Sequence, residues 1–158
     1  MGARARGIAG CLLAAWGAAC SALPLAPRAI PDCPGEIRSS DEIEGDFRFR
    51  ERAVVTAPDV SFPFELVVQK RGRELVLVGI SPVGAKLFSA VQIGVETRVD
   101  ALPAALLPIA PLNVLRDLHR LRLARSSAPL AERERIVFDN ARCGYSIALE
   151  PLDAHARP

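Results

Sequence analysis

Glu74–Gly94, ELVLVGISPVGAKLFSAVQIG, is the most strongly patterned segment of the chain. Two apolar runs of strand length flank Ser81-Pro82-Val83-Gly84. Pro presets one backbone angle of a tight turn, and Gly tolerates the left-handed region. The stretch therefore reads as a β-hairpin. Working outward, Ile43–Ala57 contains Phe47 and Phe49 alternating with Arg48 and Arg50, the period of a half-buried strand. Phe62–Gln69 is a second strand, with Pro63 near its start, where a missing N–H is tolerated. Gly72, between Arg71 and Arg73, marks the turn into the hairpin's first strand, Glu74–Ile80. Lys86–Ile93 is the fourth strand. Gly94 marks a turn or bulge, and Val95–Val99 alternates cleanly as a fifth. Five strands with short polar or Gly/Pro connections make an antiparallel meander.

The pattern breaks at Asp100. Asp100 reads as a helix cap and Pro103 as a first-turn residue of a short helix, Ala104–Leu107, which Pro108 and Pro111 end. Pro111–His119 restarts the helical spacing through Val114, Leu115 and Leu118, with Asn113 as a cap. The run HRLRLAR from His119 alternates, so periodicity alone leaves Leu121–Arg125 open to either helix or strand. Arg135–Asp139 and Tyr145–Leu152 are two further strands, joined by NARCG in a closing hairpin. The expectation is a mainly β (α+β) fold: a curved antiparallel sheet of about seven strands, with short helices against its concave face.

Composition bounds the function. The 158 residues suffice for one domain with a single core, and half are apolar, which excludes a disordered chain. Aromatic residues are 5%, so Leu, Val, Ile and Ala fill the core. Two of the positive charges, Arg4 and Arg6, lie in the N-terminal segment. Without them, 18 basic residues balance 18 acidic ones. A neutral chain with few aromatics lacks the charge and the stacking platforms of a nucleic-acid binder.

The N-terminus reads as an address. Arg4 and Arg6 form a positive start, Gly7–Ala15 a short apolar run, and Gly17-Ala18-Ala19 a small-residue site before Cys20. These are the parts of a secretory signal peptide over residues 1–19, too short to be a membrane-spanning helix. Cleavage near Ala19 or Ala22 with Cys20 incidental is the plainer alternative. Residues 20–42 hold Pro24, Pro27, Pro31 and Pro34, a density that opposes a packed helix or central strand and reads as a tether. The folded domain is then 43–153, with a frayed tail over 154–158. Of four cysteines, Cys11 falls in the signal peptide. Cys33 and Cys143, in an exported chain, favour a disulfide over free thiols or a metal site.

Ala18-Ala19-Cys20 resembles the lipobox of bacterial lipoproteins, although Gly17 stands where a larger aliphatic residue is usual. The resemblance implies that Cys20 receives a diacylglycerol and anchors the chain in a membrane. By the sorting rule of that class, Ser21 permits passage to the periplasmic face of the outer membrane. GISPVGAKLFSAVQIG, DALP and VLRDLHR, together with FDNARCGYSIALEPL at the end, resemble the turn and core patterns of LolB-like bacterial lipoproteins found with aryl-polyene-type gene clusters. That resemblance implies an open half-barrel of LolA/LolB type. It further implies that an acyl chain, lipid or lipidated client is held against an apolar wall to which Leu75, Leu77, Leu87 and Val91 contribute. The alternative is that the same aliphatic side chains fill a solid core, in a structural or interaction subunit of an envelope assembly.

No catalytic constellation stands out, and the reading is of a non-enzymatic protein without cofactor or metal. Asp117 and His119 are two apart, a spacing that does not pair side chains on a helix, and they read as surface or boundary residues. The acidic cluster Asp41, Glu42, Glu44 and Asp46 lacks calcium-loop spacing. Gly79 and Gly84 precede no Lys-Ser/Thr helix and form no phosphate loop. Tyr145 reads as packed against the sheet.

Overall fold

Period-two alternation is the signal that builds this molecule. A computed structural model describes residues 30–123 and 135–152. Its strands are β1 (Phe47–Ala57), β2 (Val60–Arg71), β3 (Glu74–Ile80), β4 (Lys86–Ile93), β5 (Glu96–Ala101), β6 (Ile136–Asn140) and β7 (Tyr145–Pro151). All pair antiparallel in one sheet, in the order β5-β4-β3-β2-β1-β7-β6. The first five strands form the expected meander. The closing hairpin then adds to β1 rather than to β5, placing the first and last of the described strands side by side. The sheet is not closed, and β5 and β6 are its edges.

The register sorts side chains onto two faces. One row runs Phe49–Val68–Leu77–Ala90 across β1 to β4, and Ala53 and Val55 continue the same face opposite Leu149 and Ile147 of β7. These are buried, whereas Arg48, Arg50, Gln69 and Arg98 alternate onto the opposite face. Pro63 lies beyond the last pair of the β2–β3 ladder, so its missing N–H costs no bond to β3.

The hairpin at 74–94 closes through Gly84 N–H donating to Ser81 O at 2.8 Å, with Gly84 at φ 84°. The ladder shifts between Gly79 and Ile80: Gly79 faces Phe88 while Ile80 faces Lys86, which leaves Leu87 as the extra residue of a bulge. Leu87 and Phe88 are consequently both buried.

Among the described residues, the covered face lies under one α-helix, α1 (Pro111–Leu123), with a short 3-10 turn at Ala104–Leu106 leading into it. Val114, Leu115 and Leu118 point into the core. Two expectations are corrected, and one open alternative is resolved. Asp100 caps no helix. It extends β5 opposite Ser89, and its carboxylate pairs with Lys86 on the neighbouring strand. Asn113 is not a cap but an interior helix residue. Of the undecided run after His119, residues 121–123 continue α1; only 124 and 125 lie outside the described residues.

The Pro-rich segment is docked over its described part, 30–42. Ile30 bridges Ile109 in parallel, and Ile30, Cys33 and Ser40 are buried. Prolines exclude this segment from the sheet, yet side chains hold it. Ser40 Oγ donates to Arg73 O at 2.6 Å and accepts from Gly94 N at 2.9 Å, clipping the segment to the β2–β3 and β4–β5 turns. The expectation of a free tether over 20–42 is therefore not met over 30–42. The expected signal peptide, Cys20, and the tail over 154–158 lie outside the described residues.

Candidate functional site

The place where this chain departs from a simple sandwich of apolar layers is the underside of α1. Among the described residues of the helix, six are buried: Asn113, Val114, Leu115, Asp117, Leu118 and His119. Half of them are polar. At roughly 100° per residue they span an arc of about 240°. So wide an arc fits a helix sunk into a concave sheet rather than one resting on a flat face. The polar members occupy its two flanks and reach opposite parts of the sheet.

On one flank, Tyr145 Oη donates to Asp117 Oδ2, and Asn140 Nδ2 donates to Asp117 Oδ1 at 3.2 Å and to Tyr145 Oη at 3.0 Å. Asp117 is 1% exposed, and Arg120 Nη1 lies 3.5 Å from Oδ1. Burial pushes the Asp117 carboxyl above its ordinary value, against the lowering effect of Tyr145, Arg120 and Asn140. Burial likewise raises the Tyr145 phenol, with the Asp117 hydrogen bond and charge adding to the shift.

On the other flank, His119 is also 1% exposed, and its Nε2 lies 2.7 Å from Gln92 Oε1 on β4. Gln92 Nε2 donates to Arg38 O at 2.6 Å and Gly94 O at 2.8 Å. That commits Gln92 Oε1 as an acceptor, so Nε2 of a neutral His119 carries the proton. Burial lowers the His119 pKa.

At the helix start, Asn113 Oδ1 accepts from Cys33 N at 2.8 Å, and Asn113 Nδ2 donates to Pro31 O at 2.7 Å. Arg116 reaches Asp32 and donates to Gly35 O at 3.1 Å.

β4 and β7 are four interstrand spacings apart, roughly 19 Å in a flat sheet. One helix is tied to both. This again fits a sheet curved about α1.

Of the four residues expected in an apolar wall, Leu75 and Leu77 lie fully buried on the covered face, and Leu87 is buried at the bulge. Val91 does not join them. It sits opposite Val76 on the other face, because it is one residue out of phase with Ala90 and Gln92. Cys33 and Cys143 form a disulfide, Cα–Cα 6.0 Å, which ties the docked segment to the 3-10 turn Ala141–Cys143 of the last hairpin.

Of the reading of Asp117 and His119 as surface or boundary residues, the surface part is overturned, since both are buried, at the boundary of the apolar stripe. That two residues so spaced do not face each other is nevertheless what places them about 160° apart, on opposite flanks of one apolar stripe. Asn113, Asp117 and His119 border the Val114–Leu115–Leu118 stripe, a pattern that marks flank positions without naming their partners. Among the described residues no cluster of three or more His, Cys, Asp or Glu side chains is placed to hold a metal ion. Among them, too, no helix is long and apolar enough to cross a membrane.

No protein-family model matches the chain, and no curated protein matches it either.

Proposed function

We propose that this protein is an exported, lipid-anchored envelope protein with a half-barrel of LolA/LolB type. In this reading it takes up an acyl chain, a lipid or a lipidated client against the covered face of the sheet and aids its transfer to the outer membrane. Cys20 carries the anchor. No catalytic group takes part; the driving force is burial of methylenes, about 0.8 kcal/mol each.

The observation that carries the reading is the mismatch between the sheet face and its cover. The centre of that face, Leu66, Val68, Leu75, Leu77 and Phe88, is apolar, with Glu51, Lys70 and Gln92 buried around it, while three of the six buried helix residues described are polar. A buried hydrogen-bonded network adds little net stability over water-bonded groups. An alkyl chain is therefore a competitive substitute for α1 on that face. Val83, Leu102 and Leu106 are exposed at the sheet end that carries the β3–β4 turn, an apolar rim for an entering chain.

The second reading, a structural or interaction subunit, is favoured by the tight closure of Leu66, Leu75, Leu77 and Leu115, which are at most 1% exposed. Native mass spectrometry of the protein extracted gently from its host's membranes separates the two. The carrier reading expects a mass increment of lipid size beyond the anchor and faster hydrogen exchange in α1 when the lipid is bound. A bare mass with unchanged α1 exchange would sink it in favour of the interaction subunit. For the anchor, metabolic labelling with palmitate should mark the wild type and not Cys20→Ala.

A further inference from the structure

We propose that His119 is an acid-operated latch on α1: uptake of one solvent proton at Nδ1 releases the helix from β4. The latch concerns helix and sheet alone and holds whether or not a lipid is carried.

Its geometry is one-sided. The neutral ring donates from Nε2 to Gln92 Oε1, and its Nδ1 is buried without a hydrogen-bond partner. A bare ring nitrogen is tolerable in an apolar setting. A protonated one is not, because Nδ1–H is then a donor with no acceptor and the ring carries a buried charge. Water becomes the nearest remedy, and reaching it requires α1 to lift.

The charged groups around the ring do not supply a substitute. On the docked segment, Arg38 and Glu42 face it, but they are paired with each other. Glu42 favours the charged ring and Arg38 opposes it. From β2, Lys70 lies in the same row as Leu75 and Gln92 and is a like charge, its ammonium bonded to Gly72 O. The covered-face residues of β3, β4 and β5 that flank Gln92 are Leu75, Leu77, Ala90, Thr97 and Val99, none of them titratable. Lys86, Glu96, Arg98 and Asp100 alternate onto the opposite face. On α1 itself, Arg116 is paired with Asp32, a like charge already engaged, while Asp117 and Arg120 are turned to the other flank, paired with each other, with Asp117 also bound by Tyr145.

The sign comes from linkage. Burial holds the docked His119 below the ordinary 6.5. The latch is fully closed above that value. As pH falls below it, the released form binds one more proton than the docked form. The opening constant then rises up to about tenfold per pH unit, until the docked ring itself titrates. Opening in turn loosens the Gln92 corner, because the amide that bonds Arg38 O and Gly94 O loses the ring that held it in place.

The experiment is hydrogen exchange on the full chain at pH 7.5 and 5.5, corrected for intrinsic rates, with β1 and β2 amides as the reference. Protection in α1 should drop about tenfold at pH 5.5 relative to the reference. His119→Gln, which keeps a donor for Gln92 and takes no proton, should abolish the drop, and Asp117→Asn should retain it. Unchanged wild-type protection, an equal drop in His119→Gln, or loss of the drop in Asp117→Asn would each overturn the latch. If His119→Gln does not fold, the His119 ring resonances in the wild type decide. Ring titration and α1 opening should share one midpoint, and a ring that protonates while α1 stays protected refutes the proposal.

Discussion

Gly79 lies under the ring of Phe88, its partner across the β3–β4 ladder. A Cβ added there would meet Phe88 Cε1 at 2.3 Å, far inside van der Waals contact. Because Phe88 is itself fully buried, the ring has no free space to swing into. Gly79→Ala should therefore cost about 1–3 kcal/mol, read as a lower denaturant midpoint at unchanged slope. Asp117 makes a prediction in pH. Its folded carboxyl titrates above its ordinary value, so its contribution is fully present below 3.8 and is lost as pH rises through the folded value. The stability difference between wild type and Asp117→Asn should thus favour the wild type more at pH 4 than at pH 7, in denaturation curves taken at both. Neither residue announced its role. Gly79 reads as an ordinary strand glycine until its cross-strand neighbour is known. The partners of Asp117, namely Asn140 and Tyr145, come 23 and 28 residues later, beyond the reach of any local pattern.

At the scale of elements, α1 is the piece on which local signals were weakest. HRLRLAR alternates as a strand would, yet residues 119–123 extend the helix that Pro111 begins, because Val114, Leu115 and Leu118 have already committed that face to the sheet. Burial of a neighbouring turn outweighed the local period. The strands were legible for the opposite reason: Gly72, Ser81–Gly84 and Gly94 punctuate alternating runs, and turn chemistry with period two fixes both ends of a strand. Leu115 is fully enclosed, and Leu115→Ala should cost about 2–5 kcal/mol. If α1 is a cover rather than a keystone, that loss appears as faster exchange in α1 while β1 and β2 amides keep their protection.

For the whole molecule, the disulfide between Cys33 and Cys143 closes a loop across a separation of 110 residues. On the chain-entropy account such a closure contributes about 5 kcal/mol by restricting the unfolded chain. Cys33→Ala with Cys143→Ala should lower the denaturant midpoint accordingly, and the shift should vanish when both forms are compared under a strong reductant. The cysteine arithmetic made this pairing legible, because only these two thiols remain after the N-terminal pair is assigned. The docking of 30–42 was not legible, since proline density forbids regular structure but says nothing about whether side chains such as Ser40 find partners.

The strand order has a consequence for synthesis. β1 is among the longest strands and is made first, but one of its edges is closed only by β7, where residues 51–56 meet 146–151. Until the last stretch of chain emerges, a growing polypeptide presents that edge bare, as a template for pairing with other chains. Ribosomal products that stop short of Tyr145 should therefore aggregate even though five consecutive strands are complete.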